Sequence, residues 1–161
     1  MRREFALLAL VPGCSLVLDF SDRAIPKDAM ADAPYTADQC AYKEPNDSFE
    51  AAAMIAPTDT GPAAICANDP GDFYKLTIAG ATTVTIGIQF TNRPGGDLDL
   101  ELLNPLGMRQ SISRGFGDGE SITCPGSAPA CDALTDGDYV LRVFPATNGA
   151  VNAYTFSVTI Q

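Results

Sequence analysis

Val84-Thr-Ile-Gly-Ile-Gln-Phe90 carries the clearest signal of the fold class. Asp97-Leu-Asp-Leu-Glu-Leu-Leu103, one turn later, repeats it. In both, apolar residues alternate with polar or small ones, which is the period of a strand that buries one face. The intervening Asn92-Arg-Pro-Gly-Gly96 has the composition of a turn. These stretches therefore predict two half-buried strands of an antiparallel fold, separated by a turn.

The same alternation and punctuation continue on both sides of this pair. Seven or eight short strands with a turn signal about every ten residues indicate an all-β fold, an antiparallel β-sandwich. The strands are predicted near residues 72–78, 82–90, 97–103, 109–114, 120–124, 138–144 and 153–160.

Composition excludes several classes of function. The 161 residues include no histidine, so Ser-His-Asp and Cys-His catalysis and histidine-ligated zinc are excluded. Twenty acidic and ten basic residues give a formal charge of −10, which argues against nucleic-acid binding because the phosphate backbone is repelled. We expect a protein that is not an enzyme.

The N-terminus resembles a bacterial export signal of the lipoprotein type. Arg2 and Arg3 precede an apolar run at 5–11, and Pro12-Gly-Cys14 follows. We expect residues 1–13 to be a lipoprotein signal peptide, Cys14 to carry the lipid, 14–39 to be a flexible tether and 40–161 to be the β-sandwich domain. An ordinary signal peptide and a buried first strand are the alternatives.

The remaining four cysteines are an even set, as expected for disulfides formed in an oxidising compartment. Four cysteines allow three pairings. The turn-rich loop between Cys124 and Cys131 favours a local bond there, which leaves Cys40 to pair with Cys66.

Oxygen-bearing side chains accumulate where the domain begins. Glu44-Pro-Asn-Asp47 places three of them around a proline of fixed φ, and Asp69 and Asp72 precede the strand at 73–78. Hard cations such as Ca²⁺ take oxygen ligands of this kind. We also expect a short helix at 48–55, capped at its N-terminus by Asp47 with Glu50 as in a capping box. The alternative to a cation site is that Asp47 only caps this helix, that Pro45 forms a turn and that Asp69 and Asp72 are solvated turn residues.

A second row of acids, Asp97, Asp99 and Glu101, lies on one face of a predicted strand. Because the side-chain period of a strand is two, these residues share a face, which we expect to be solvated.

An ordered set of segments spans residues 44–160: Glu44-Pro-Asn-Asp47, Asp72-Phe-Tyr74, Asp97-Leu-Asp-Leu100, Asn104-Pro-Leu-Gly107, Gly137-Asp-Tyr-Val-Leu-Arg-Val143 and Tyr154-Thr-Phe-Ser-Val158. This ordered set resembles the bacterial pre-peptidase C-terminal domain family, whose members include the collagen-binding domains of clostridial collagenases.

The resemblance implies a jelly-roll-like sandwich that acts as a non-catalytic module. It also implies calcium ligands at Glu44, Asn46, Asp47, Asp69 and Asp72. Tyr42 stands where the collagenase members carry a further acidic ligand.

Together these features predict a cell-envelope lipoprotein, placed at the outer membrane, with a calcium-stabilised binding or structural module. Its partners would be the membrane, through the lipid, and an extracellular or periplasmic protein or polysaccharide. The alternative function is a secreted adhesion or carbohydrate-binding domain without an anchor.

Overall fold

The computed structural model describes residues 33–161, and these residues are nearly all β-structure. The elements in chain order are α1 (Ala37–Cys40), β1 (Ala53–Met54), β2 (Ala63–Ile65), β3 (Asp72–Ile78), β4 (Val84–Phe90), β5 (Leu98–Leu103), β6 (Arg109–Ser113), β7 (Gly119–Cys124), β8 (Gly126–Ser127), β9 (Ala130–Cys131), β10 (Gly137–Pro145) and β11 (Asn152–Ile160).

Two sheets form the sandwich. One has five strands in the order β1-β3-β10-β5-β6, and the other has four in the order β2-β11-β4-β7. All pairings are antiparallel except that of β1 with β3. The predicted all-β antiparallel sandwich is therefore confirmed.

The core lies between the sheets and is built from the alternating apolar residues of the long strands. Tyr74, Leu76 and Ile78 of β3 face Ile86 and Ile88 of β4 in one hydrophobic cluster. Complete burial of such side chains stabilises the fold by about 1.5 to 3 kcal/mol each. The seven predicted strands all occur, with ends within two residues of the prediction.

The predicted helix at 48–55 is wrong. Residues 48–51 form a turn, in which the Ala51 amide donates to the Ser48 carbonyl at 3.2 Å. Ala53 and Met54 then pair in parallel with β3, and Ile55 is buried. The helix propensity of three alanines is outweighed by sheet pairing and by burial of the isoleucine. Asp47 is therefore not a helix cap.

Helix α1 lies inside the stretch predicted as a tether. Thr36 accepts a hydrogen bond from the Gln39 amide at 3.3 Å, and the Gln39 side chain accepts from the Thr36 amide at 2.7 Å. This capping box sets a single turn, which is too short for helical periodicity to reveal.

Residues 1–32, with the predicted signal, Cys14 and most of the tether, lie outside the described residues. Within 33–161 no helix is long and apolar enough to cross a bilayer.

Both disulfides present in the structure join the pairs expected from sequence. Cys40 is bonded to Cys66 with Cα atoms 5.9 Å apart, and Cys124 is bonded to Cys131 with Cα atoms 5.0 Å apart. The first bond attaches the end of α1 to the residue after β2. The second closes the small β8-β9 hairpin.

Candidate metal centre

Three carboxylates converge at the start of the domain. Glu44 and Asp47 lie in the segment between α1 and β1, which we call the entrance segment (residues 41–52), and Asp69 lies in the loop between β2 and β3. One oxygen from each carboxylate lies within 4.8 Å of the other two. Glu44 and Asp47 are exposed and Asp69 is half-buried, so solvent reaches this carboxylate cluster.

The backbone around the carboxylate cluster is held from several sides. Asp69 accepts hydrogen bonds from the Gly71 amide at 2.8 Å and from the Cys66 amide at 3.4 Å. The Phe73 amide donates to the Asn46 carbonyl at 2.8 Å, which joins the entrance segment to β3. With the Cys40–Cys66 bond, these contacts set the separation of the three carboxylates.

Gly71 is required at the turn that leads from Asp69 into β3. Its φ is +132°, and a Cβ atom here would lie 2.6 Å from the Val143 carbonyl oxygen. Only glycine accepts both the backbone conformation and the close approach of β10. The turn therefore places Asp69 outside the sandwich and Asp72 inside it.

Beneath the carboxylate cluster lies a buried polar layer made of Asn46 and Asp72. The amide orientation that satisfies the Asn46 side chain has its nitrogen donating to Glu44 Oε2 at 2.9 Å and to Asp72 Oδ1 at 3.1 Å. The amide thereby links the exposed carboxylates to the buried one. Of the five predicted ligands, three come together at the surface, and the other two support them from below.

Asp72 ends a chain of hydrogen bonds that crosses the core. The Tyr154 hydroxyl donates to Asp72 Oδ2 and accepts from the Tyr74 hydroxyl at 2.8 Å. Burial raises the pKa of Asp72 to about 7, an effect that the Tyr154 hydrogen bond opposes and the charges of Asp69 and Glu44 increase. Burial also raises the pKa of both tyrosines.

The carboxylate cluster carries negative charge, and no cation of residues 33–161 pairs with it. Burial, together with the charge of Asp47, raises the pKa values of Glu44 and Asp69. Lys43, the nearest cation in sequence, pairs instead with Asp59 at 3.1 Å. In residues 33–161 the ion pairs involve Asp59, Asp99 and Glu101, and none involves the cluster.

This donor set fits a hard cation. Ca²⁺ binds six to eight oxygens in flexible geometry, and carboxylates that repel one another gain most from a shared ion. Glu44, Asp47 and Asp69 would supply side-chain oxygens, with water and backbone carbonyls completing the shell. Tyr42, at the position where the resembled family has another acid, packs beside Phe156 with ring centroids 6.3 Å apart.

The second acidic row differs from the prediction of a solvated face. Asp99 and Glu101 are buried on the outer face of the five-stranded sheet. Arg114 pairs with Asp99 at 3.3 Å, while Arg109 and Arg142 pair with Glu101 at 2.5 and 3.5 Å. The arginines that pair with these acids are visible in the sequence. That they lie beside Asp99 and Glu101 can be inferred only once the strand order is known.

Comparison with known proteins gives a fold neighbour. No protein-family model matches the chain, and no curated protein matches it. Among solved structures, the chain is similar to the pre-peptidase C-terminal domain of collagenase from Bacillus anthracis, with a TM-score of 0.52 and 20% identity over 66% of this chain and 92% of that one. It is also similar to PliG of Aeromonas hydrophila, a periplasmic inhibitor of g-type lysozyme, with a TM-score of 0.39 and 14% identity over 66% of this chain and 91% of that one. The first similarity shows that the chain has a fold like that of the pre-peptidase C-terminal domain.

Proposed function

We propose that this protein is a cell-envelope lipoprotein whose β-sandwich is a non-catalytic binding or structural module stabilised by calcium. The observation that carries the proposal is the carboxylate cluster of Glu44, Asp47 and Asp69, with oxygens within 4.8 Å of one another and, within residues 33–161, no cation paired with them. The fold shared with the collagenase domain supports a module of this kind.

Calcium acts here on stability. The carboxylate cluster joins the entrance segment to the loop before β3, so a bound ion cross-links two parts of the chain that are apart in sequence. In the unfolded chain the three carboxylates separate and the ion is lost. Binding therefore favours the folded state by mass action.

The cysteines and the N-terminus support the proposed export and anchoring. Two disulfides are typical of an oxidising compartment. Cys14 follows a basic and apolar leader and takes no part in either bond, which leaves its thiol for lipid. Ser15 as the second mature residue favours the outer membrane over retention at the inner membrane.

The calcium claim is tested by melting the exported protein in chelator, in millimolar calcium and in millimolar magnesium. Calcium at ~100 times its dissociation constant should add roughly 2.7 kcal/mol. Magnesium should add much less, because it gives up bound water reluctantly. Asp47→Ala should remove the calcium response, whereas Asp132→Ala, which removes an exposed acid outside the carboxylate cluster, should keep it. Equal melting temperatures of the parent in chelator and in calcium would refute the calcium site.

The anchor is tested by intact mass and fractionation. We expect the mature protein to begin at a lipid-modified Cys14 and Cys14→Ala to appear as a soluble form. An exported chain with an unmodified Cys14 would instead support a secreted adhesion domain and would leave the calcium test unaffected.

A further inference from the structure

The outer face of the five-stranded sheet holds three arginines above two buried acids. The side chains of Asp99 and Glu101 are 7% and 6% exposed, whereas those of Arg114 and Arg109 are 59% and 56% exposed. Both of these arginines pair with their acid through Nε. Each acid thus holds the Nε atom of its arginine. The terminal guanidinium nitrogens of these exposed side chains keep N–H donors for a further partner.

Arg142 is held differently, by stacking. Its guanidinium carbon lies 4.6 Å from the ring centroid of Phe144 and 5.2 Å from that of Phe73. Its hydrogen bonds to Glu101 and to the Pro70 carbonyl are both long, at 3.5 Å, and its Nε is buried without a partner in the described structure. A stacked guanidinium with unused donors is suited to a planar, bidentate carboxylate.

The arginines form a continuous surface because of strand register. Arg142 lies opposite Phe73 on one side and Glu101 on the other, and Phe144 lies opposite Asp99. Adjacent strands are about 4.8 Å apart, so these side chains are immediate neighbours. We call this surface, made of Phe73, Arg109, Arg114, Arg142 and Phe144, the arginine face. It gathers three of the four arginines of residues 33–161 in a chain whose charge is −10.

Exposed apolar side chains stand at both ends of β6. Phe116, in the loop after Arg114, is 93% exposed, and Leu106 and Met108 are exposed just before Arg109. The Phe116 loop is fastened, since Asn92 donates to the Phe116 carbonyl at 2.8 Å and to Asp118 at 2.9 Å. Met108 and Phe116 are eight positions apart, a span of about 25 Å if extended.

We infer that the arginine face and the apolar residues at its two ends bind an extended segment of a partner protein that has central acidic residues and apolar residues on both sides. Charge complementarity selects carboxylates for the centre. Arginine, phenylalanine and methionine are enriched in protein interfaces, and the exposed apolar side chains match apolar side chains of a partner better than they match a sugar chain. The inference names a partner for the binding module proposed above, but it depends on neither calcium nor the lipid.

The test uses the full chain with Cys14→Ala and a fluorescent synthetic peptide of eight residues, with leucines at both ends and four central glutamates. Anisotropy should show saturable binding that weakens as salt rises. The double variant Arg109→Gln with Arg114→Gln should weaken binding by about tenfold or more. Phe116→Ala should weaken it severalfold, and because this side chain is almost fully exposed, folding should be unaffected.

Matched controls separate this surface from general charge effects. Arg93→Gln removes one charge from a site where Arg93 bonds to Asn152, away from the arginine face, and should leave the affinity within about twofold. A peptide with lysines in place of the glutamates should not bind. The parent should bind equally in chelator and in calcium, so a failed calcium site would not be mistaken for a failed surface.

Four results would overturn the inference. They are no binding of the acidic peptide up to millimolar concentration, equal loss of binding in Arg93→Gln, unchanged binding in Phe116→Ala, and an alginate oligosaccharide that binds as tightly as the peptide. The last result would assign the arginine face to an acidic polysaccharide.

Discussion

The protein has two clusters of acidic side chains with different surroundings. Glu44, Asp47 and Asp69 meet at the surface, where no cation of residues 33–161 pairs with them, whereas Asp99 and Glu101 lie buried beneath three arginines. The first cluster is therefore open to a cation from solution. The second receives positive charge from the neighbouring arginines.

The pKa values show how burial and charge act in each place. Burial raises the pKa of Glu44 and of Asp69, and neighbouring carboxylates add to the effect. Burial also raises the pKa of Asp99, to about 6, although the Arg114 guanidinium opposes it. A guanidinium reduces the burial effect but does not remove it. Whether acidic side chains form an open cluster or one paired with arginines therefore depends on what packs beside them.

The largest expected effect comes from cutting the bond that holds the carboxylate cluster together. Replacing both Cys40 and Cys66 with alanine opens a loop of 26 residues and should lower the free energy of unfolding by about 3 kcal/mol. The calcium response should weaken as well, because Asp69 is no longer tied to the entrance segment. Urea unfolding with and without calcium measures both. A variant as stable as the parent, with a full calcium response, would contradict the role given to this bond.

The second-largest effect on stability should come from Asp99 and Glu101, the buried acids that pair with arginines. Glu101→Gln replaces the acceptor shared by Arg109 and Arg142 with an amide that cannot neutralise them. We expect a loss of about 2 kcal/mol in the free energy of unfolding, since Arg142 is left half-buried without its counter-ion. Glu50→Gln, at an exposed acid, is the matched control and should change little. Equal effects of the two substitutions would mean that the arginines do not depend on Glu101.

Asp99→Asn tests whether burial raises the pKa of Asp99, through the pH dependence of the free energy of unfolding. The pKa of Asp99 is about 6 in the folded protein and 3.8 as its ordinary value, so the folded state holds the proton to higher pH. Stability from this group is therefore greatest below pH 4 and is lost as pH rises toward 6. The parent should lose about 1 kcal/mol relative to Asp99→Asn across this window, after allowance for screening. The measurement is the difference between the two unfolding free energies at each pH. A flat difference would show that Asp99 titrates normally.

The smallest effect on stability should come from the carboxylate cluster. Its sign should be opposite to that of Glu101→Gln. In chelator, Asp47→Asn removes one of three repelling charges and should stabilise the fold by roughly 0.5 kcal/mol. Asp132→Asn makes the same charge change elsewhere and should do less. Differential melts in chelator at low salt detect this. Destabilisation by Asp47→Asn under these conditions would show that Asp47 has a structural partner of its own.

Much of the fold was predictable because strand periodicity is a local property. Each of the seven long strands shows alternation or an apolar pattern within its own residues, and turns with glycine and proline separate them. The short strand Ala53–Met54 was mistaken for a helix because two residues carry no period and three alanines favour a helix. Its true state depends on its pairing with β3.

The candidate site was predictable as a set of residues but not as an arrangement. Side-chain chemistry and a family resemblance predict one calcium site from five residues: Glu44, Asn46, Asp47, Asp69 and Asp72. The structure divides them into three exposed carboxylates and a buried pair, a division produced by the turn at Gly71. Whether calcium binds there stays a prediction.

The β-sandwich and the exclusion of histidine chemistry follow from the sequence alone, since each depends on residue type or short-range spacing, and the loop between Cys124 and Cys131 favours the observed pairing of the cysteines. Only the tertiary structure decided which acids meet a cation. Arg142 reaches Glu101 across 41 residues because β10 pairs with β5, and Asp69 reaches Glu44 because a disulfide and a glycine turn bring two loops together. Alternation tells which residues share a face of a strand. The strand order tells what covers that face, and strand order is set by pairing between distant segments.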